Sequence, residues 1–463
     1  MNLKKVITLL LTASMAAGSM MGCGSSAETK TASSVAVPSA AVSTEAAKTT
    51  SSTAPAKTTA DNKRYDGVTI TLLKDSDTVA DGIKAVIAAA EKKYGFTIET
   101  EDRVGGDEGD NIIKTRLASG EMSDICLYNS GSLLAALNPS EYFEDLSKED
   151  FVSTLDETYL STVTVDGKVY GVPVSSTQVG AILYYKPDYE KLGLQVPKTW
   201  TEFIANCDKL KAAGKTAMIG TFGDSWTSQV MFLGDEYNVE AANSTFPKDF
   251  EAGKAKYATT PAATKSFQKL LDVQKYYNKD YLSAKYDDGC DMLPNGEGTH
   301  WVMLTQALSN MYSLYPDKMK DIGVFAIPGD SADSNGLTVW EPSSFYVNKN
   351  CKNKDAVMAF LKFYVSKEGL DTYASVIKPD GPYCVKGYAL PSDAYEAVKN
   401  DMQPYFDAGK TGTALEFKTS VKGSSCPAIC QEVGSGQISA AEAAKAYDED
   451  CEKQAAQLGL KWK

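Results

Sequence analysis

From residue 64 onward, apolar residues fall in short continuous runs separated by stretches whose apolar positions recur every three to four residues. The first pattern marks buried strands and the second amphipathic helices, so their alternation predicts an α/β protein. Strands are expected at residues 68–73, 124–129, 169–174, 181–186, 217–222, 300–305 and 322–328. Thr199-x-x-Glu202 forms a capping box ahead of a helix whose apolar face is Phe203, Ile204, Cys207 and Leu210, with Gly214 ending it. A second capping box, Ser439-x-x-Glu442, opens a last helix to about Leu458, and Thr260-Pro261 starts one carrying Phe267, Leu270 and Leu271. No internal repeat is visible.

The first 63 residues follow neither period. Lys4 and Lys5 precede an apolar stretch from Val6 to Met21, then Gly22 and Cys23, the layout of a secretory signal. The end of that stretch, Met20-Met21-Gly22-Cys23, resembles the lipobox of bacterial lipoproteins, which implies cleavage before Cys23 and a diacylglycerol on its sulfur. Two acyl chains at about 0.8 kcal/mol per buried CH₂ would tether the protein to a membrane. Residues 24–63 are Ala, Ser, Thr and scattered Lys without an aromatic side chain, a composition that supports no packed core and predicts a flexible spacer. Such a spacer has an r.m.s. reach of roughly 35 Å.

Length and charge narrow the function. The 463 residues, 43% of them hydrophobic, suffice for two ordinary cores. A formal net charge of −13 removes the attraction that nucleic acids and anionic lipid headgroups rely on. The single histidine, His300, read as an ordinary polar strand residue, leaves no Ser-His-Asp or Cys-His nucleophile and no histidine-rich metal site. No metal and no cofactor is therefore expected. Carboxylate chemistry survives, and the 60 Asp and Glu neither support nor oppose it. Eight cysteines follow Cys23, and of these Cys426 and Cys430 are the expected disulfide pair if the setting is oxidising, while Cys126 and Cys207 sit on apolar faces and pack.

One stretch is more specific. Residues 165–219, VDGKVYGVPVSSTQVGAILYYKPDYEKLGLQVPKTWTEFIANCDKLKAAGKTAMI, resemble the most distinctive part of the family 1 extracellular solute-binding proteins that serve carbohydrate ABC transporters. The shared pattern is a GK-YG-P strand, a variable turn, a strand ending in Tyr-Tyr-Lys, and a P-x-T-W-x-E-F helix start. KTRLASGEMSDICLYNS (114–130), DIGVFAIPGD (321–330) and SSFYVNKNCKNKDAVMAFLKFYVS (343–366) are similar to further family segments in the same order. The resemblance implies a two-lobed, periplasmic-binding-protein-like type II fold with hinge strands and an inter-lobe cleft. It places lobe 1 at 64–174 plus 344–390 and lobe 2 at 175–343 plus 391–463. It also implies a sugar or oligosaccharide ligand, delivery to permease subunits of an ABC importer, a monomer lipid-anchored on the extracytoplasmic face, and no enzymatic activity.

A sugar presents an apolar CH face and a fringe of hydroxyls, so its site needs aromatic platforms and directional polar side chains. Segments following strands supply Ser76 and Asp77 after the first, and Tyr128, Asn129 and Ser130 after the 124–129 run. Gln178 falls where the family places a polar contact, and Trp226 lacks apolar neighbours at helical spacing on its amino-terminal side, which favours a cleft platform. The 300–305 strand departs from the family's AM-x-x-x-G-x-W element: Leu304 stands for the glycine and Gln306 for the tryptophan, leaving Trp301 for the core. Trp340-Glu341 replaces small residues common before the second crossing and offers a platform and an acceptor. The competing readings are a binding protein for an amino-acid derivative or polyamine, a surface glycosidase using two carboxylates, and an adhesin or sensor subunit on the same fold.

Overall fold

Apolar runs four to eight residues long bury themselves as strands, and the computed structural model describes residues 64–462 apart from 77, 79 and 105. The proposed signal segment, Cys23 and the spacer lie outside the described residues, as does Asp77. In chain order the strands are β1 (Thr69–Asp75), β2 (Thr97–Arg103), β3 (Ile125–Tyr128), β4 (Thr164–Val165), β5 (Lys168–Val169), β6 (Gly171–Pro173), β7 (Gln178–Tyr185), β8 (Met218–Ile219), β9 (His300–Leu304), β10 (Ile322–Phe325), β11 (Leu337–Trp340), β12 (Ser344–Val347) and β13 (Thr411–Thr413).

Two sheets result, each with its own core. The first runs β2-β1-β3-β12-β6, with β1 parallel to β2 and β3, and β12 antiparallel to β3 and β6. Its core draws on residues between Ile70 and Val174 and, after a long excursion, between Phe345 and Cys384. The second runs β13-β11-β7-β9-β8. There β7, apolar almost throughout, pairs with β9 along one edge and divides its other edge between β11 and β10. The second core spans Val179 to Val339 and Tyr395 to Trp462. The molecule is thus a two-lobed α/β fold.

The helix starts match their sequence signals. Thr199 Oγ1 accepts from the Glu202 amide, and the Glu202 carboxylate accepts in return from the Thr199 amide at 3.2 Å, opening helix Trp200–Ala212. Ser439 and Glu442 do the same for Ala440–Gln457, and Pro261 opens Pro261–Val273. Several strands differ from expectation. The 217–222 run pairs only across Met218–Ile219, and the 169–174 run divides between the end of β5 at Val169 and β6. The sequence TIETEDR of β2 buries only Ile98 and Arg103, so it carries no apolar run to recognise.

Cysteine pairing also differs. All eight described cysteines are buried free thiols, including the expected pair Cys426 and Cys430. The two lie one turn apart on helix Cys426–Gly434. Side chains at that spacing have Cβ atoms roughly 5–6 Å apart, beyond the roughly 3.5–4.5 Å that a disulfide needs. His300 lies in strand β9, as expected, and is fully buried in the second core. Its ring nitrogens meet the Tyr189 hydroxyl at 2.7 Å and the Ala217 carbonyl at 2.8 Å, and burial holds the imidazole down at about 4.

Candidate functional site

The chain crosses between the sheets where strands change sheet, and these crossings bind one another. Residues 174–177 carry it from β6 to β7 and residues 341–343 from β11 to β12; a third segment, after helix Lys367–Ala374, returns it to the second core. The Val174 amide donates to the Ser343 carbonyl at 3.1 Å and the Thr177 amide to the Pro382 carbonyl at 2.8 Å. The Asp380 amide donates to Ser176 Oγ at 3.2 Å. Gly381 permits this closeness, because a Cβ there would lie 2.3 Å from the Thr177 carbonyl oxygen.

Beside these crossings open two cavities of about 590 and 610 Å³, both within the size range of small-ligand sites. Asn129, Trp340 and Glu341 line both and form the wall between them. Gln178 and Gln306 line the smaller, and Ser130 the larger. The structure therefore brings together six of the sequence-derived candidates. Tyr128 is buried beside them, its ring 5.7 Å from the Arg103 guanidinium, on the wall of a further cavity of about 220 Å³. Ser76 lies in the turn after β1, where its amide donates to the Arg103 carbonyl at 2.8 Å, and it lines neither large cavity.

Trp226 also stands off the cavity walls. It is half-buried, and its ring packs at 5.3 Å on Tyr286, which does line the smaller cavity and packs in turn on the buried Trp301. Tyr286 thus puts an aromatic ring on that wall, with Trp226 packed behind it. Sequence inspection missed Tyr286, along with Ser309, Lys378 and Asp380 on the same wall. The third crossing reads as a plain Lys-Pro-Asp-Gly-Pro turn, and only its approach to the 174–177 crossing gives Asp380 a role.

Trp340 is held on two sides. Gly180, opposite Thr338 in the β7–β11 ladder, has room for no side chain: a Cβ there would lie 2.5 Å from the indole ring. The indole N–H donates to Glu416, which is itself ion-paired with Lys422. A tryptophan fixed in this way presents a rigid apolar face, the surface a pyranose CH face packs on.

Two carboxyl groups give the smaller cavity its electrostatic character. Glu341 is 7% exposed; burial, reinforced by the Asp156 carboxylate, pushes it up to about 8 against the hydrogen bond that Cys384 Sγ donates at 3.6 Å. Burial likewise pushes Asp380 up to about 7, opposed by Ser309 Oγ donating at 2.6 Å. Among the described residues no group of three or more His, Cys, Asp or Glu is placed to hold a metal ion. Aromatic faces, amides, hydroxyls and two carboxyls around a cleft are equipment for holding a polar solute.

Comparison with known proteins agrees in kind. Residues 74–370 match the family model described as bacterial extracellular solute-binding protein. The multiple sugar-binding protein of Streptococcus mutans is 26% identical over 358 residues, covering 72% of this chain and 78% of its own. Among solved structures, a family 1 extracellular solute-binding protein from Bifidobacterium longum subsp. infantis superposes with a TM-score of 0.67 at 24% identity, covering 84% of this chain and all of its own. RafE from Streptococcus pneumoniae superposes with a TM-score of 0.68 at 19% identity, over 84% and 98% of the two chains. At those identities the superpositions establish the fold.

Proposed function

Because the chain belongs to the bacterial extracellular solute-binding proteins, we propose that it captures a sugar or oligosaccharide in the cleft between its lobes and delivers it to an ABC importer. The observation that carries this reading is the wall shared by the two cavities, where Trp340 stands beside Asn129 and Glu341, with Gln178 and Gln306 on the smaller cavity. An indole face and side-chain amides, which both donate and accept, match the two surfaces of a pyranose. The reading is supported by similar proteins, one a multiple sugar-binding protein and another RafE in complex with raffinose.

Lobe 1 comprises residues 64–174 plus 344–390 and lobe 2 comprises 175–343 plus 391–463, closing about the three crossings. The protein acts as a receptor without turnover, as a monomer, exported by its amino-terminal signal and tethered through Cys23, with permease subunits receiving the ligand. Among the described residues no helix is long and apolar enough to cross a membrane.

A thermal-shift screen of the full chain against mono- and oligosaccharides, with amino acids and polyamines as controls, tests the reading. A ligand at a hundred times its Kd adds about 2.7 kcal/mol to the state that binds it. The expected result is a selective upward shift with one sugar series, lost in Trp340→Ala. A shift only with the controls would overturn the sugar assignment and leave the fold intact.

A further inference from the structure

Resting on that reading, we propose that the ligand carries a protonated amine on a hydroxyl-rich skeleton, as in an amino sugar or its oligomer, and that Glu341 and Asp380 receive the ammonium group. The amides and serines of the smaller cavity already suffice for neutral hydroxyls. The two carboxyls are extra, and neither has an ion-pair partner among the described residues: on the larger cavity Lys422 is paired with Glu416, and no ion pair joins Lys114 to either carboxyl. Glu341 Oε2 accepts only the Cys384 thiol, and among the described residues Oε1 accepts no hydrogen bond although the side chain is more than nine-tenths buried and lines both cavities. The groups standing around it are Asp156, Tyr159 and Cys384, none of them cationic.

Asp380 is half-buried on the wall of the smaller cavity. Ser309 donates to it, and the titratable groups around it are the hydroxyls of Tyr286, Tyr373, Tyr383 and Tyr395. The cation on that wall, Lys378, is committed elsewhere: its Nζ meets Asp393 Oδ2 at 2.6 Å and lies 5.4 Å from the Tyr312 ring. A desolvated carboxylate without a counter-charge is costly, and an ammonium ion from the ligand supplies the missing charge. The faces of Trp340 and Tyr286 on the same wall attract cations as well. Acetylating the amine removes the charge and the benefit together.

The chemistry balances by proton displacement. Below neutral pH the empty site holds its carboxyl protons, so an arriving ammonium sends a proton from the carboxyl to buffer while the amine keeps its own.

Calorimetry of the full chain at pH 6, in two buffers of different ionisation enthalpy, reads both affinity and proton release. The probes are a glucosamine tetramer, the same tetramer N-acetylated, a glucose tetramer, and spermidine. The amine-bearing tetramer should bind about tenfold tighter than its acetylated form and release up to about one proton per ligand. Glu341→Gln and Asp380→Asn, each checked by melting, should each reduce that preference to within about threefold. Equal or tighter binding of the acetylated or glucose tetramer by the unaltered protein overturns the amine assignment and leaves sugar capture standing. Binding of spermidine alone, lost in Glu341→Gln, supports the amine site and overturns the sugar skeleton. No binding of any probe at millimolar concentration overturns both.

Discussion

Among the places where carboxyl groups are wholly or partly buried, two are built in opposite ways. In the second lobe Asp235 and Lys269 are each 1% exposed and ion-paired with one another. Asp235 also accepts from Asn238 at 2.7 Å and Ser266 at 2.8 Å, while Lys269 donates to the Pro328 carbonyl at 2.7 Å and sits 5.0 Å from the Trp200 ring. Every charge there is answered within the chain. At the crossings, Glu341 and Asp380 face open volume with a thiol and a hydroxyl as donors and, among the described residues, no ion-pair partner. The first set is closed within the chain, whereas the second opens on a cavity that a group from outside can enter.

The largest effect should come from breaking the complete set. Asp235→Ala strands the Lys269 ammonium in the core, and removing one partner of a buried pair costs about 3–5 kcal/mol. Urea unfolding should register that loss while ligand affinity of the folded variant stays unchanged. A loss below about 1 kcal/mol would mean that Lys269 finds water, and the contrast between the two places would fail.

Next in size is a change aimed at the wall between the cavities. Gly180→Ala sets a methyl group where the Trp340 ring now lies, 2.5 Å from its Cζ3. Overpacking of this kind costs roughly 1–3 kcal/mol, and the displaced indole should weaken ligand binding about tenfold, equivalent to about 1.4 kcal/mol. Titration of the variant against the best ligand from the thermal screen checks it. Unchanged affinity would show that the indole face does not touch ligand.

The same contrast explains what could be read from the chain. The second sheet was legible because β7 and β9 are nearly continuous apolar runs, and the capping boxes at Thr199 and Ser439 declared their helices. The edge strand β2 was not, since one face meets water and it lacks a run of apolar residues. Asn129, Gln178, Gln306, Trp340 and Glu341 were found from their places just beyond strands or from family segments. Asp380 and Tyr286 were not, because their relevance depends on segments distant in the chain: Ser176 and Ser309 for Asp380, and Trp226 for Tyr286. Trp226 shows the converse: isolated among polar neighbours in sequence, it gains an aromatic partner only when Tyr286 folds against it.

The smallest expected effect is also the sharpest test of how Glu341 differs from a paired carboxylate. Between its ordinary value of 4.5 and about 8, the unfolded chain gives up a proton that the folded chain retains. The stability contributed by neutral Glu341 is therefore complete below pH 4.5 and lost as pH rises towards 8. Glu341→Gln never ionises, so without ligand its stability relative to the unaltered protein should climb with pH, by roughly 1–2 kcal/mol between about pH 5.5 and 7.5. His300, held down at about 4, works in the opposite sense and loses its contribution as pH falls below 6.5. It is common to both proteins and cancels from the difference. Urea midpoints of the two proteins across that range measure the gap. A gap that stays flat would mean Glu341 is already ionised in the empty cleft, with water supplying what the Asp235 site obtains from Lys269.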